Sequence, residues 1–243
     1  REDTIEQLKS ALDQCQIAGL ECNLDYLRQI LDDKTYNAGD ISTRFLESFH
    51  YVPSTIDVLD PGTFSTIQDY PGRTGYWDVG VPPSGPMDSL AFRFANRLVG
   101  NSPNAAGLEF TVSGPTLRFN TDAVICLAGA EMQATIDDHP IAFWTAVSIS
   151  AGSILRLKSI HGDGCRTYLA VQNGFKIPDY LGSKATFTLG QFGGHSGRTL
   201  RTGDVLKLHP AELNCEARPP AGISSRSLPS NLIPHYTNTW KIN

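Results

Sequence analysis

The chain has 243 residues, of which 40% are hydrophobic and 19% are charged, so it is long enough to bury a core and to hold more than one folding unit. Its 25 acidic and 20 basic residues give a net charge of −5 without a long run of either sign, which argues against a nucleic-acid-binding or membrane-binding surface. It has no apolar stretch long enough to span a membrane, and its charged first residues are unlike a signal peptide, so we expect a cytoplasmic protein.

Residues 1–50 have a helical pattern. Apolar residues from Ile5 to Leu12 recur on one helical face, and Asp3 with Glu6 forms a capping pattern at its start. A second helix is predicted from Asn23, with a buried stripe that consists of Leu24, Leu27, Ile30 and Leu31. Two short helices cannot form a core by themselves.

From residue 56 to about residue 210 the pattern changes to short apolar or alternating runs, separated by turn sequences such as Ser113-Gly114-Pro115. This pattern predicts a mainly β domain, closed or sandwiched, with one inserted helix. The helix is predicted to begin after the cap residue Asp88 and to end at Gly100. Its buried stripe is predicted to consist of Leu90, Ala91, Phe94, Ala95 and Leu98.

The last part of the chain, residues 211–243, becomes polar and proline-rich. This composition predicts a linker or an extended arm. The final residues, HYTNTWKIN, resemble the beginning of a further strand, so we expect another domain to start there.

A long connection at residues 70–87, rich in Gly and Pro, lies directly before the inserted helix. Loops of this length in compact domains are functional or disordered, and its four prolines make disorder the poorer explanation. Ser84 and Gly85 precede the helix start, where unpaired N–H groups and the helix dipole favour an anion, and Arg73 could add a planar cation. The loop therefore predicts a site for a planar, negatively charged group.

Each residue of this loop also has a structural interpretation. Asp88 is by default a helix cap, Asp69 is a turn residue, and Tyr76 and Trp77 are core side chains. Only the cluster as a whole favours a functional interpretation.

A second glycine-rich segment, residues 181–204, contains His195 and Arg198 close to three glycines. Glycines allow the backbone to approach a ligand, toward which an imidazole and a guanidinium could project, although a polar turn is the common alternative. No strand-loop-helix unit surrounds the segment, so it is not a dinucleotide-binding fingerprint.

Several common motifs are absent from the sequence. The five cysteines are scattered without a CxxC pair, which indicates reduced thiols and predicts no metal site. There is no GxxxxGK[ST] phosphate loop, no GxSxG or HExxH motif and no Lys-Met pair that would mark a biotin attachment site. The chain alone therefore shows no means of binding ATP or of carrying biotin.

Three stretches resemble a carboxyltransferase family, the allophanate hydrolase subunit 2 type, which also includes one of the subunits of bacterial 5-oxoprolinase. They are QDYPGRTGYWDVGVPPSGPMDSLAFRFANRLVGN, AGLEFTVSGPTLRF and YLAVQNGFKIPDYLGSKATFTLGQFGGHSGRTLRTGDVL, and the resemblance runs from about Val58 to Leu208. Residues 1–50 resemble the C-terminal end of a biotin carboxylase domain. This domain order is that of the urea carboxylase and urea amidolyase family.

The resemblance implies a cyclophilin-like β-barrel carboxyltransferase subdomain at residues 56–210. It implies a remnant of a biotin carboxylase domain at residues 1–50, and a linker with the start of a second carboxyltransferase half at residues 211–243. The implied activity is transfer of a carboxyl group from carboxybiotin to urea, which gives allophanate.

The same resemblance implies cofactors and partners outside this chain. Biotin would be carried on a separate domain, and ATP and Mg would be used by the biotin carboxylase domain, most of which is absent here. The partners would be urea, carboxybiotin, the biotin carrier and the second carboxyltransferase half. The isolated chain is therefore expected to be inactive.

The candidate catalytic residues are taken from their positions in the first stretch. Gln68 and Asp69 are expected to orient the amide substrate. Arg73 is expected to recognise a carboxylate or ureido group.

The candidate binding residues surround them in the two glycine-rich segments. Ser84 and the backbone of Gly85 are expected to bind the carboxylate or ureido group. Asp88 is expected to cap the helix and shape the pocket, and His195 with Arg198 is expected to form its far wall.

Two alternatives stay open at this point. An enzyme component of the 5-oxoprolinase type would have the same loop motifs, but should begin near Val58 without the helical residues 1–50. A non-catalytic regulatory or interaction module is the other alternative, and the intact loop motif counts against it.

Overall fold

The computed structural model describes residues 1–15, 17, 22–209, 226–237 and 239. The chain forms two compact units, Arg1–Pro53 and Ser54–Asn243. Within the described ranges, no helix combines the length and the apolar character that crossing a membrane requires.

The first unit is helical. Its helices are α1 (Glu2–Gln14), α2 (Leu24–Asp32), α3 (Lys34–Ala38) and α4 (Phe45–Ser48). Two ion pairs join α1 to α2, one from Lys9 Nζ to Asp32 Oδ1 at 2.6 Å and one from Arg28 Nε to Asp13 Oδ1 at 2.9 Å.

Two details of the predicted helices are wrong. Arg1 occupies the N-cap of α1 and makes no side-chain capping bond, so Asp3 and Glu6 lie inside the helix. In α2, Ile30 and Leu31 are buried as predicted, but Leu27 is 37% exposed. A unit of a few short helices covers only part of an apolar stripe.

The second unit is mainly β. Its strands are β1 (Thr55–Asp60), β2 (Phe64–Gln68), β3 (Gly107–Thr111), β4 (Thr116–Phe119), β5 (Ala123–Gly129), β6 (Met132–Ile136), β7 (His139–Pro140), β8 (Ala146–Ile149), β9 (Ile154–Ile160), β10 (Arg166–Val171) and β11 (Val205–Lys207). They form two antiparallel sheets, sheet A in the order β11-β1-β4-β9-β6-β7 and sheet B in the order β2-β3-β10-β5-β8. The predicted fold class is confirmed, including the inserted helix α5 (Ser89–Leu98) and a short helical region before the β domain.

Sheet B is covered on both faces, because neighbouring residues along its strands pack into two different clusters. In β5, Ile125 and Leu127 join the main core between the sheets, whereas Cys126 and Ala128 pack toward α5. The neighbouring strand β10 alternates in the same way, and its Tyr168 lies on the α5 side. Sheet B is therefore the middle layer between sheet A and α5.

The helix α5 begins and ends where the sequence predicts. Asp88 caps it, since its Oδ1 accepts the backbone N–H groups of Leu90 at 3.1 Å and Ala91 at 3.0 Å. Gly100, just after the helix, has φ +87, a conformation that glycine adopts without strain.

The predicted stripe of α5 is partly wrong. Ala91 and Ala95 are buried, but Leu90 is 49% exposed and Phe92 replaces Phe94 as the fully buried aromatic residue. Phe92 packs edge-on against the ring of Tyr168, with ring centroids 5.7 Å apart. Both phenylalanines are apolar, so the period of the sequence does not decide which of them faces the sheet.

Residue 210 and most of the predicted linker, residues 211–225, lie outside the described residues, as do residues 238 and 240–243 of the predicted strand. The described residues 226–237 are bonded to the β domain of the second unit. Leu228 N–H donates to the carbonyl of Trp144 at 2.8 Å, and Ser227 forms an isolated bridge with Thr145. We call residues 226–237 the C-terminal strap.

Candidate functional site

Gln68 ties the proline-rich loop to the end of β2. Its side chain is buried, and its Oε1 accepts the backbone N–H of Gly85 at 2.9 Å. Its Nε2 donates to Thr66 Oγ1 at 3.0 Å. A second contact holds the same loop, from Arg73 N–H to the carbonyl of Pro83 at 2.6 Å. One hydrogen bond to β2 and one within the loop therefore fix the loop's conformation.

Asp69 joins the two glycine-rich segments. Its Oδ1 accepts the hydroxyl of Ser183 at 2.6 Å, and its Oδ2 accepts the backbone N–H of Lys184 at 2.8 Å. Ser183 Oγ in turn accepts the N–H of Ala185 at 2.9 Å. The carboxylate is 8% exposed, so these bonds compensate for its burial.

Arg73, in the first of these segments, is a fully buried cation whose side chain reaches toward the second. It is 1% exposed, its Nε donates to the carbonyl of Tyr180 at 2.9 Å, and its Nη2 donates to the carbonyl of Ala185 at 3.0 Å. Its guanidinium carbon lies 4.8 Å from the ring centroid of Phe192. Its buried Nη1 has no hydrogen-bond partner among the described residues.

Among the described residues Arg73 has no direct ion pair, and the nearest acidic influence on its charge is Asp69. Burial lowers the pKa of Arg73, and the nearby Asp69 carboxylate opposes that shift. An arginine side chain stays protonated in proteins, so the site keeps a buried positive charge with one unused donor.

The N–H groups before α5 are occupied, which differs from the sequence expectation of free groups for an anion. Besides Gly85, Met87 donates its N–H to Glu109 Oε2 at 2.8 Å and Asp88 donates its N–H to the hydroxyl of Tyr168 at 2.7 Å. Tyr168 donates to Glu109 Oε2 at 2.9 Å. The protein supplies its own acceptors here, from strands β3 and β10.

Glu109 and Tyr168 are site residues that the sequence analysis missed. They are direct partners in the register of β3 and β10, and both face α5. Burial raises the pKa of Glu109, with the Met87 and Tyr168 hydrogen bonds opposing that shift. The nearest cation is Arg166, with its Nε 3.6 Å from Glu109 Oε1.

His195 and Arg198 converge on Asp204, another residue that the sequence analysis missed. Arg198 makes a bidentate pair, in which Nη1 to Oδ2 and Nη2 to Oδ1 are both 2.8 Å, and His195 Nε2 lies 3.4 Å from Oδ1. Burial acts to raise the pKa of Asp204, but the Arg198 hydrogen bonds and the N–H of Arg201 outweigh it, so the pKa lies below its usual value. The two basic residues therefore serve first as partners of this carboxylate.

Gly193 brings the second segment against Arg73. A Cβ at this position would lie 2.1 Å from the carbonyl oxygen of Ala185 and 2.8 Å from Arg73 Nη2. The expectation that glycine allows a close approach holds, but the group approached is the protein's own backbone and Arg73. Among the described residues no group of three or more His, Cys, Asp or Glu side chains could hold a metal ion.

We expect the stability of this segment to depend on pH through His195. Burial lowers the pKa of His195 below its ordinary value of 6.5, although Asp204 acts in the opposite direction. Below pH 6.5 the unfolded chain therefore takes up a proton that the folded chain resists. The free energy of unfolding should decrease as the pH falls from 6.5 toward the lower folded-state pKa.

Guanidinium denaturation at pH 7.5 and pH 5.5 measures this effect. His195→Gln should show a smaller difference between the two pH values than the unchanged chain. His209, whose pKa burial also lowers, is retained in both proteins and provides the common background. Equal differences in both proteins would contradict the role of His195.

Two family models match different parts of the chain. Residues 79–243, more than half of the chain, match the family model "Carboxyltransferase domain, subdomain A and B", and residues 1–48 match "Biotin carboxylase C-terminal domain". The chain belongs to this carboxyltransferase domain family. The match to the carboxyltransferase model begins after Gln68, Asp69 and Arg73. These three residues lie within the similarity to relatives that match the whole chain.

Two relatives and one solved structure show how far the similarity extends. A urea amidolyase of Lachancea kluyveri is 40% identical over 244 residues, which make up 100% of this chain and 13% of the relative. The crystal structure of the Kluyveromyces lactis urea carboxylase has a TM-score of 0.86 and 42% identity, and covers 98% of this chain and 21% of that protein. A 5-oxoprolinase subunit of Escherichia coli is 39% identical over 155 residues, 63% of this chain and 49% of the relative.

The resemblance to the urea carboxylase and urea amidolyase family is thereby confirmed. The carboxyltransferase region and the biotin carboxylase C-terminal region stand in the same chain, in the order inferred from the sequence. This chain spans only a small part of the length of those relatives, 13% in the urea amidolyase of Lachancea kluyveri.

Proposed function

We propose that this chain contributes to the carboxyltransferase site of a biotin-dependent urea carboxylase, in which a carboxyl group passes from carboxybiotin to urea and gives allophanate. One observation carries the proposal. Similarity to a urea amidolyase runs through 100% of the chain, helical region included, whereas similarity to a 5-oxoprolinase subunit extends over 63% of it. The acceptor urea is taken from the names of the whole-chain relatives.

The exchange moves one carboxyl group from a ureido nitrogen of carboxybiotin to a urea nitrogen, and one proton in the opposite direction. Both partners present carbonyl or carboxylate oxygens that gain negative charge, and fixed donors in a dry environment stabilise such oxygens. Arg73 fits this requirement, because its Nη1 is a buried donor with no partner among the described residues. Phe192 is half-buried and stacks on Arg73, so the guanidinium lies one side-chain layer below the surface.

In this proposal, Gln68 and Asp69 hold the backbone segments that orient the substrate. Their side chains hold the loop of Gly85 and the segment around Lys184 at fixed distances from Arg73. We propose that they position the acceptor amide by positioning these two backbone segments. The geometry of such a site must hold to well under 1 Å for efficient transfer.

In the proposal, the other predicted residues surround Arg73. Ser84, at φ +55, and Gly85, at φ +86, shape the turn after Pro83, whose carbonyl accepts the Arg73 N–H, and Asp88 joins the turn to α5. His195 and Arg198 would form the far wall, with their ring and guanidinium held by Asp204.

The cofactors and partners of the proposal lie outside this chain. Carboxybiotin, when bound, supplies the carboxyl group, and it would arrive on a carrier domain. ATP and Mg would act at the biotin carboxylase domain, of which residues 1–48 match only the C-terminal part. We also propose a second carboxyltransferase half as a partner. The proposed location is the cytoplasm.

A choice between two acceptors tests the proposal. The chain would replace the corresponding segment of a full-length urea carboxylase, and ATP turnover would be measured with urea or with 5-oxoproline. We expect turnover and allophanate formation with urea alone, and neither from the isolated chain. Stimulation by 5-oxoproline instead of urea, or urea-dependent turnover by the isolated chain, would contradict the proposal.

A further inference from the structure

The C-terminal strap contacts both ends of α5. At one end, Arg226 lies by Gly100, just beyond the helix, since its Nη1 would be 3.3 Å from a Cβ at that position. At the other end, the Tyr236 hydroxyl donates to Asp88 Oδ2 at 2.6 Å, at the N-cap of the helix. The ten residues of α5 span about 15 Å, a distance that the strap covers although it contains a 3-10 turn at Ser230–Leu232.

Apolar packing near both ends holds the strap in place. Leu228 and Tyr236 both pack against the cluster that α5 forms with sheet B. Backbone bonds fix the start of the strap, because Ala146 N–H donates to the carbonyl of Arg226 at 2.8 Å and Leu228 N–H donates to the carbonyl of Trp144 at 2.8 Å. Leu228 and Tyr236 therefore anchor the strap to the cluster of α5 and sheet B.

Asp88 is the point at which the strap meets the candidate site. One carboxylate oxygen caps α5, the other accepts from Tyr236, and the N–H of Asp88 is held by Tyr168. Burial raises the pKa of Tyr236 and the Asp88 carboxylate adds to that shift, so the hydroxyl keeps its proton and remains a donor. Three residues upstream lies Gly85, which Gln68 holds.

We propose that Tyr236 is a positioning residue, which fixes the turn from Ser84 to Asp88 through its hydrogen bond to Asp88. The strap thereby links the placement of the candidate site to a segment about 150 residues further along the sequence. The effect on carboxyl transfer rests on the proposed function, whereas the effect on the turn does not.

Tyr236→Phe tests the positioning role, because it removes only the hydroxyl. In this chain, we expect the amide hydrogens of residues 85–91 to exchange about 10-fold faster, since the substitution removes a hydrogen bond to the carboxylate that caps α5. Tyr36→Phe is the matched control; its hydroxyl has no hydrogen bond among the described residues, and exchange at residues 85–91 should stay unchanged. Unchanged exchange in Tyr236→Phe would overturn the proposal.

A second arm uses a full-length urea carboxylase that carries this chain. Tyr236→Phe should lower the kcat of carboxyl transfer to urea about fivefold or more and leave ATP-dependent biotin carboxylation unchanged. Faster exchange with an unchanged kcat would overturn the link to the site and leave the proposed function intact. If the unsubstituted protein fails to carboxylate urea, the proposed function fails, and the exchange measurement still decides whether Tyr236 holds the turn.

Discussion

Arg73→Ala should reduce carboxyl transfer to urea by about 100-fold or more, because it removes the buried cationic donor from the proposed site. The measurement is made in a full-length urea carboxylase that carries this chain. ATP-dependent biotin carboxylation, which the proposal places in another domain, is followed separately and should change less than about twofold. Loss of both activities together would contradict a role confined to transfer.

Alanine at this position also leaves the carbonyls of Tyr180 and Ala185 without their donor, so a second variant is needed. Arg73→Lys keeps the charge but not the planar fork that reaches both carbonyls and stacks on Phe192. It should retain the fold, as measured by thermal unfolding of the chain, and still lose most of the transfer activity. Full transfer activity in a folded Arg73→Lys protein would count against the guanidinium.

Gly193→Ala should lower the free energy of unfolding by about 3 kcal/mol. The residue has φ +71, which costs an L-residue about 1 kcal/mol, and the added methyl would lie 2.1 Å from the Ala185 carbonyl oxygen. Backbone has to shift to relieve such a contact, which adds about 2 kcal/mol. Denaturant unfolding of the chain measures the loss.

Gly182→Ala is the matched control in the same segment. Gly182 has nearly the same conformation, φ +75, but a Cβ there would meet nothing within 4 Å. It should cost only about 1 kcal/mol, which is the conformational part. Equal losses in the two variants would show that Gly193 does not hold the second segment against Arg73.

The layered β fold and the inserted helix could be predicted because local signals agree with the final structure. Asp88 is a cap residue placed just before an apolar stripe, and Gly100 follows that stripe. Which face of α5 is buried could not be predicted as reliably. Phe92 rather than Phe94 is buried because Tyr168 offers an edge-on partner, and that contact depends on the tertiary structure.

The candidate residues were chosen from sequence motifs, but most of their hydrogen-bond partners were not predicted. Glu109 is the one charged residue of strand β3, and only the strand register places it opposite Tyr168. Asp204 has the appearance of an ordinary turn residue in the sequence. The signal that could have found it is Arg198 six residues earlier, since a half-buried guanidinium commonly pairs with a nearby carboxylate.

The strap has a consequence for the outer strand of sheet B. β8 pairs with β5 on one side, and an outer strand whose other side is bare offers its N–H and C=O groups to a strand of another molecule. Here Arg226 accepts the N–H of Ala146 at the start of that strand, so this part of the rim is already occupied. The same short peptide that braces α5 therefore also protects the protein from edge-to-edge aggregation at this position.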